Sequence, residues 1–474
     1  MTGGGPTARV VLLHPRLDHV VPAATPEYVA GNSGCLPPMG LLYLQAALEG
    51  SGHESVLLDA NAEDMDHAAA ARRVAEIAPD VVGIQAMTFT MPDALLAARA
   101  VKQAAPRAKT VLGGPHPTIF PHQTAALDGV DYAFAGEGEV DFVRLLDVLG
   151  DAAAERAVPG VARKDNGGVS YTPSAGLLKD LDALARPARR SSPYRKYRSV
   201  LATRSPITVM ITSRGCPFDC VFCNRMGRKY RCHSAEYVLA EFDEIAAMGI
   251  GEVFIHDDTF TLRRDRVEAI CRGLIERNAD VIWEARTRVD CVDGPLLALM
   301  RRAGCTRLSF GVESGSPRVL EAMRKGIDLA KVREVFRLCR TEGITTLADF
   351  MIGSLDERRE DVDMSLDLAG TIKPDYVQYS ICSPYPGTPL YAIGRETGLI
   401  ADDVWAAFAR DPLAEFRSPV WTQHFSEEEL TSLAAMAYRR FYMAPGRMLR
   451  QAAKVRSLKQ LAGMAAAAWG MLRK

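Results

Sequence analysis

From residue 9 to about 150 the chain alternates short, mostly apolar runs with stretches whose apolar positions recur every three or four residues. Residues 10–13, 55–58, 81–84, 110–112 and 132–134 read as buried strands, and residues 40–48, 67–77, 93–104 and 140–149 carry the helical period between them. Strand and helix in strict alternation predict a doubly wound parallel α/β sheet. Such sheets bind ligands in the crevice beyond their strand C-termini.

Residues 151–204 break the rhythm. Prolines at 159, 173, 187 and 193 and the basic run 186–190 mark a connector, with a small hairpin around Asn166-Gly-Gly168. From 207 the alternation resumes, with strands expected at 207–212, 252–256, 281–285, 307–311, 345–352 and 376–381. A helix over 235–248 has Tyr237, Val238, Phe242 and Ile245 on one face, Ser234 as N-cap and Gly249 as its stop. Six units make three-quarters of an eight-unit barrel, whose active site belongs at the strand C-termini. The expected division is 1–150, a connector 151–204, a partial barrel 205–425 and a basic helical region 426–474.

In that last region no acidic residue follows Glu429, while Arg439, Arg440, Arg447, Arg450, Lys454, Arg456, Lys459, Arg473 and Lys474 accumulate among Ala, Leu and Met. A basic amphipathic helix either lies on an anionic membrane or packs on the protein with its charges solvated. Both readings are open at this point.

Composition narrows the class. A chain of 474 residues with net charge -1 and 48% hydrophobic residues has room for two or three cored domains and no excess of positive charge for nucleic acid. The ten cysteines are mostly isolated among apolar neighbours, as reduced core thiols are. With no signal peptide at the start and no run able to span a bilayer, the expected home is the reducing cytoplasm.

Three cysteines depart from that isolation: Cys216-Pro-Phe-Asp-Cys220-Val-Phe-Cys223. Zinc would need a fourth ligand such as Cys232 or His233, and zinc sites are usually built from separated pairs. A four-iron cluster held by three thiolates leaves one iron open. The spacing x3 then x2, with Phe222 before the last cysteine, resembles the signature of the radical S-adenosylmethionine (SAM) superfamily. The resemblance implies a [4Fe-4S] cluster on Cys216, Cys220 and Cys223, SAM chelating the fourth iron, a one-electron donor such as flavodoxin or ferredoxin, and Phe222 near the adenine.

The same resemblance assigns the barrel's open end. Asp257 and Asp258 follow its second strand, and at least one of them would receive the SAM ammonium. Arg288, after the third strand, is placed either to grip a carboxylate or in a rim ion pair. Glu313 and Ser314, in Gly311-Val-Glu-Ser-Gly-Ser316, match a SAM-contacting motif, with Ser316 as a helix N-cap. Ile352 and Gly353 would pack by the adenine, although Leu355 and Asp356 stand where the family has proline and glycine. Ser383-Pro-Tyr-Pro-Gly-Thr-Pro389 resembles a rim loop of cobalamin-dependent members.

The first unit resembles the cobalamin-binding domain fused ahead of such barrels, through Pro38-Met-Gly-Leu-Leu-Tyr-Leu44, Leu112-Gly-Gly-Pro-His116 and Gly136-Glu-Gly-Glu139. Thr88, Gly113, Gly114, His116, Gly136 and Glu137 are the implied cofactor contacts, the alternative for the glycines being tight turns. Histidine ligation of cobalt through Asp-x-His-x-x-Gly is not expected, because the chain reads His14-Pro-Arg-Leu-Asp-His19 there. The implied activity is methylation of an unactivated carbon of a small-molecule, natural-product or lipid substrate, through a 5'-deoxyadenosyl radical and methylcobalamin. The alternatives are ring formation or rearrangement without methyl transfer, or a radical SAM enzyme whose N-terminal domain does not bind cobalamin.

Overall fold

The computed structural model describes residues 7–21, 34–165, 167–224, 227–446 and 448. Strands β1 (Arg9–His14), β2 (Glu54–Asp59), β3 (Val81–Gln85), β4 (Lys109–Gly113) and β5 (Tyr132–Phe134) lie parallel in the order β2-β1-β3-β4-β5. Alternate residues of β1 feed two cores. Val10 and Leu12 pack with helices Met39–Ser51 and Gly138–Asp147, Val11 and Leu13 with helices His67–Ile77 and Met91–Ala104. The sheet is therefore covered on both faces, as its nearly unbroken apolar strands require. Strand order reverses between β1 and β3, which opens the ligand crevice of this fold class. The connector hairpin is present as β6 (Val161–Asp165) and β7 (Gly168–Tyr171), and it extends this sheet antiparallel from β5.

The second sheet holds β8 (Ile207–Met210), then, beyond the small antiparallel pair β9 (Ser213–Arg214) and β10 (Arg231–Cys232), β11 (Glu252–Ile255), β12 (Ile282–Thr287), β13 (Cys305–Glu313), β14 (Thr345–Ile352) and β15 (Tyr376–Ile381). Its six strands are parallel and in sequential order, and β8 and β15 do not pair, so the barrel is open. Trp283 and Ala285, Leu308, Phe310 and Val312, and Ala348, Phe350 and Ile352 point outward into a core shared with the surrounding helices. By strand alternation Glu284 and Arg286, Ser309 and Gly311, and Leu347, Asp349 and Met351 face the lumen. Ser234 caps helix Ala235–Ala247 as expected, its hydroxyl accepting from Tyr237 N at 3.1 Å.

Two helices return to pack where the sequence pattern gave little guidance. Val404–Arg410 buries Trp405 and Phe408 in the core of the first sheet, although it follows the last barrel strand. Glu427–Tyr442 buries Leu430, Leu433, Ala434, Ala437, Tyr438 and Phe441 over β14 and β15. The Tyr438 hydroxyl accepts from Tyr379 N at 3.0 Å and Tyr442's from Val377 N at 3.1 Å, which closes the exposed ladder of edge strand β15. Large apolar side chains contribute about 1.5–3 kcal/mol each when buried, so this helix's apolar face belongs to the protein and not to a bilayer. Arg447, Arg450, Lys454, Arg456, Lys459, Arg473 and Lys474 lie outside the described residues. No helix among the described residues is long and apolar enough to cross a membrane.

Candidate active site

The cysteine loop leaves the barrel between β9 and β10, and Asp257 fixes its root. This fully buried carboxylate accepts from the backbone N–H groups of Thr212 and Ser213 at 2.6 and 3.0 Å and from their hydroxyls at 2.5 and 2.7 Å. Those four bonds end β8 at Met210, two residues short of the strand expected from the sequence, and they occupy both oxygens. Of the acidic pair, Asp258 is the one exposed at the barrel mouth.

The loop itself is held by its backbone. Val221 N donates to Met323 O at 3.1 Å, Leu390 N to Val221 O at 2.9 Å, and Asn224 Nδ2 to Pro386 O at 2.9 Å. Cys220 is buried and Cys216 and Cys223 half-buried, none of them in a disulfide. A tetrahedral zinc with Zn–S near 2.3 Å needs its sulfurs about 3.8 Å apart. The three thiols are not all gathered within 4.8 Å of one another, so they do not form a preformed zinc site. Burial pushes the Cys220 thiol up, opposed by Lys325 and Arg288. Both cations would favour thiolates bound to iron.

Those cations are themselves arranged. Arg288 lies 3.7 Å from the Phe218 ring centroid, forks onto Asp290 at 2.9 and 2.8 Å and reaches Lys325 O at 2.9 Å. Of the two roles open from sequence, the structure shows the ion pair. Lys325 Nζ lies 2.7 Å from Glu313 Oε1 and 5.9 Å from the Phe222 ring centroid. Glu313 ends β13 at φ +64°, and a side chain at Gly311 would occupy the space of the Glu313–Lys325 pair. Ser314 is fully buried, accepting from Ser316 N at 3.2 Å and facing Ser365 Oγ at the same distance. Ile352 points outward into the helix-side core, and the lumen-facing neighbour that packs with Phe222 is Met351. Gly353, at φ +77°, donates its N–H to Glu357 Oε2 at 2.6 Å. These motifs lie at the C-terminal ends of β13 and β14. The sequence could not assign which side of each loop the side chains take.

The first sheet turns its strand C-termini toward this mouth. Glu137 accepts from Arg231 at 2.8 and 2.9 Å and from Leu178 N at 2.8 Å, with Arg214 Nη1 at 3.2 Å; Arg214 also donates to Glu139 at 2.6 Å. Arg214 and Arg231 sit on β9 and β10, on either side of the cysteine loop. Glu137, expected at the cofactor, instead joins the two units. Burial pushes its carboxyl up, and Arg231, Leu178 N–H and Arg214 outweigh this and hold it below its ordinary value. Opposite, Phe89 after β3 meets Tyr385 after β15 at 5.2 Å and Trp405 at 6.2 Å between ring centroids.

Between these two ties lies the switch-point crevice. The loops after β1 and β3 are joined by Val21 N donating to Phe89 O at 2.8 Å, and they expose Val20 (44%) and Met87 (45%). Exposed apolar side chains beside a crevice fit a broad, flat ligand such as a corrin. Thr88 stands next to Met87, and a Cβ at Gly113 would meet only Phe134 Cβ, at 3.9 Å. Gly114 and Gly136 serve turns: they adopt φ +125° and +97°, and a Cβ would meet Ala86 O at 2.8 Å and Ser174 Oγ at 2.7 Å. His116 is buried between Phe120 and Phe408, its ring nitrogens without hydrogen-bond partners, and burial lowers it to about 3. His14 and His19 are bonded to Asp59 and Asp93 at 3.0 and 2.9 Å.

Comparison with known proteins agrees with this geometry. Residues 28–146 match the B12 binding domain and residues 210–369 the radical SAM superfamily. The chain is 34% identical over 423 residues to an uncharacterized methyltransferase, PH0819, of Pyrococcus horikoshii, covering 88% of this chain and 90% of that protein. It is 29% identical over 435 residues to the anaerobic magnesium-protoporphyrin IX monomethyl ester cyclase of Cereibacter sphaeroides, covering 88% and 69%. In fold it resembles the radical SAM methyltransferase TsrM of Kitasatospora setae, solved with cobalamin and a [4Fe-4S] cluster (TM-score 0.68, 19% identity, 83% of this chain and 76% of that one). It also resembles the cobalamin-dependent enzyme OxsB (TM-score 0.72, 16% identity, 98% and 72%). With its two domains, its three-cysteine loop and a relative alike over nearly its whole length, the chain belongs to the cobalamin-binding radical SAM enzymes, whose cofactors are a [4Fe-4S] cluster, SAM and cobalamin.

Proposed function

We propose that this enzyme methylates an unactivated carbon of a small-molecule substrate held between the barrel mouth and the switch-point crevice. The observation that carries the reading is the mutual facing of the two strand C-terminal ends, tied at Glu137–Arg231 and Phe89–Tyr385 with the cysteine loop beside them. When bound, the cluster with SAM supplies a carbon radical and cobalamin a transferable methyl group. The chain's own residues set distance and exclude water. Cys216, Cys220 and Cys223 hold the cluster, Asp258 receives the SAM ammonium, and Glu313, oriented by Lys325, faces the ribose side. Phe222 and Met351 line the adenine side. Thr88, Gly113 and the apolar Val20 and Met87 seat the corrin. Relatives named as methyltransferases, including the hopanoid C-3 methylase of Methylococcus capsulatus, support methyl transfer. A one-electron donor such as flavodoxin or ferredoxin completes the system.

The test is turnover of the reduced holoenzyme with SAM deuterated in its methyl group, followed by mass spectrometry. Methyl transfer predicts 5'-deoxyadenosine and S-adenosylhomocysteine together, with label on the product. Deoxyadenosine without S-adenosylhomocysteine would point to ring formation or rearrangement instead.

A further inference from the structure

The strand register sorts the lumen into layers. Ala285 is level with Ile255, so Arg286 lies beside His256; Arg286 is also level with Ser309, which is level with Leu347. One layer nearer the mouth, Gly311, Asp349 and Gln378 stand level. Arg288 is two residues beyond Arg286, at the cysteine loop, with Glu313 and Lys325 nearby. The floor is closed by the Arg307 guanidinium among Glu284 and Glu252.

Every other cation in this column has a counter-charge: Arg307 has Glu284, Arg288 has Asp290 and Lys325 has Glu313. Arg286 has neither a hydrogen bond nor an ion pair with any described residue, and its side chain stands open to the lumen. The groups that feel its charge do not cancel it. Burial, with Arg286 beside it, lowers His256 to about 4, which leaves the imidazole neutral at pH 7. Burial pushes Asp349 up to about 7, against the pull of Arg286, so its carboxyl is largely protonated below that pH. An unpaired guanidinium exposed in the barrel lumen is a standing site for a planar acid, because its fork matches a carboxylate or phosphoryl group with two parallel hydrogen bonds.

We propose that Arg286 receives an acidic group, carboxylate or phosphoryl, of the substrate, inserted into the barrel with the reacting carbon toward the mouth. SAM held at the loop that carries the three cysteines would sit nearer the mouth, which would leave the Arg286 layer to the second ligand. His256 and Ser309 flank the acid as neutral hydrogen-bonding neighbours, and Asp349 in its protonated form can donate to it. The assignment rests on the radical SAM reading, and failure of that reading would be visible first, as wild-type protein that assembles no iron.

The experiment uses cluster-loaded protein with SAM, crystallised with selenate as the acid probe, alongside SAM affinity in solution for wild type, Arg286→Gln and Arg286→Lys. The expected result is a selenium anomalous peak within hydrogen-bond reach of Arg286 in wild type, lost in Arg286→Gln, with SAM affinity unchanged within about threefold. Wild-type crystals without the peak would overturn the proposal. So would a tenfold or greater loss of SAM affinity in both variants, which would hand Arg286 to the cofactor's own carboxylate. Since Arg286 bonds nothing in the fold, both variants should keep wild-type cluster absorbance and melting temperature. The wild-type crystal decides even if they do not.

Discussion

At the scale of single residues, the acidic pair shows how adjacent side chains divide their work. Asp257 spends both oxygens on Thr212 and Ser213, whereas Asp258 is at the mouth. Asp258→Ala is therefore expected to weaken SAM binding about tenfold or more in a folded protein. Asp257→Ala should leave four donors without their acceptor at the root of the cysteine loop, costing roughly 3–5 kcal/mol and the iron with it. Calorimetric SAM titration and iron content separate the two. Glu357 offers a pH test. Its Oε2 accepts from Gly353 and Ser354 N–H while Oε1 is buried without a hydrogen-bond partner, and burial pushes the carboxyl up to about 7. An ordinary carboxyl loses its proton near pH 4.3. Between about 4 and 7 the native state holds the extra proton, so this group's contribution to stability falls as pH rises through that window. Glu357→Gln is expected to raise stability at pH 8 by roughly 1–3 kcal/mol and to be near neutral at pH 4, read by denaturant titration at both.

At the scale of elements, the clamp of Glu137 and Glu139 on Arg214 and Arg231 fixes the cysteine loop against the cobalamin-binding unit. Removing one partner of such a buried group leaves the others unpaired, so Glu137→Ala should cost about 3 kcal/mol. Because the Glu137 carboxyl is held below its ordinary value, its contribution is present above about pH 4.5 and lost as the solution is acidified further. The clamp also marks the limit of what was legible in the sequence. The strands and the helix over 67–77 were readable because apolar period and turn residues are local, and the three-cysteine spacing is local too. That Gly136-Glu-Gly-Glu139 would meet Arg214, some 75 residues on, is a tertiary fact with no period. The same holds for Trp405, whose helix returns to the first sheet, and for the helix Glu427–Tyr442, whose basic flank suggested a membrane while its apolar face packs on β15. Leu430→Ala on that helix should destabilise by about 2–5 kcal/mol, measured by denaturant titration.

At the scale of the molecule, two sheets built on parallel strands, one doubly wound with an antiparallel hairpin at its edge and one an open barrel, present the same chemical end to each other. Sheets of both classes bind at their strand C-termini; here the two sets of strand ends face each other across the ties at Glu137–Arg231 and Phe89–Tyr385. The ties at Glu137–Arg231 and Phe89–Tyr385 make this arrangement a property of the fold rather than of the ligands. Its central claim is that one chain carries both metal cofactors, with the iron on three cysteines. Anaerobic reconstitution of wild type and Cys216→Ala, followed by absorption spectroscopy with iron, cobalt and zinc analysis, measures it directly. About four irons and one corrin per wild-type chain are expected, and a Cys216→Ala protein that loses iron-sulfur absorbance while keeping corrin. A colourless protein containing zinc, or an iron-loaded one that takes up no corrin, would contradict it.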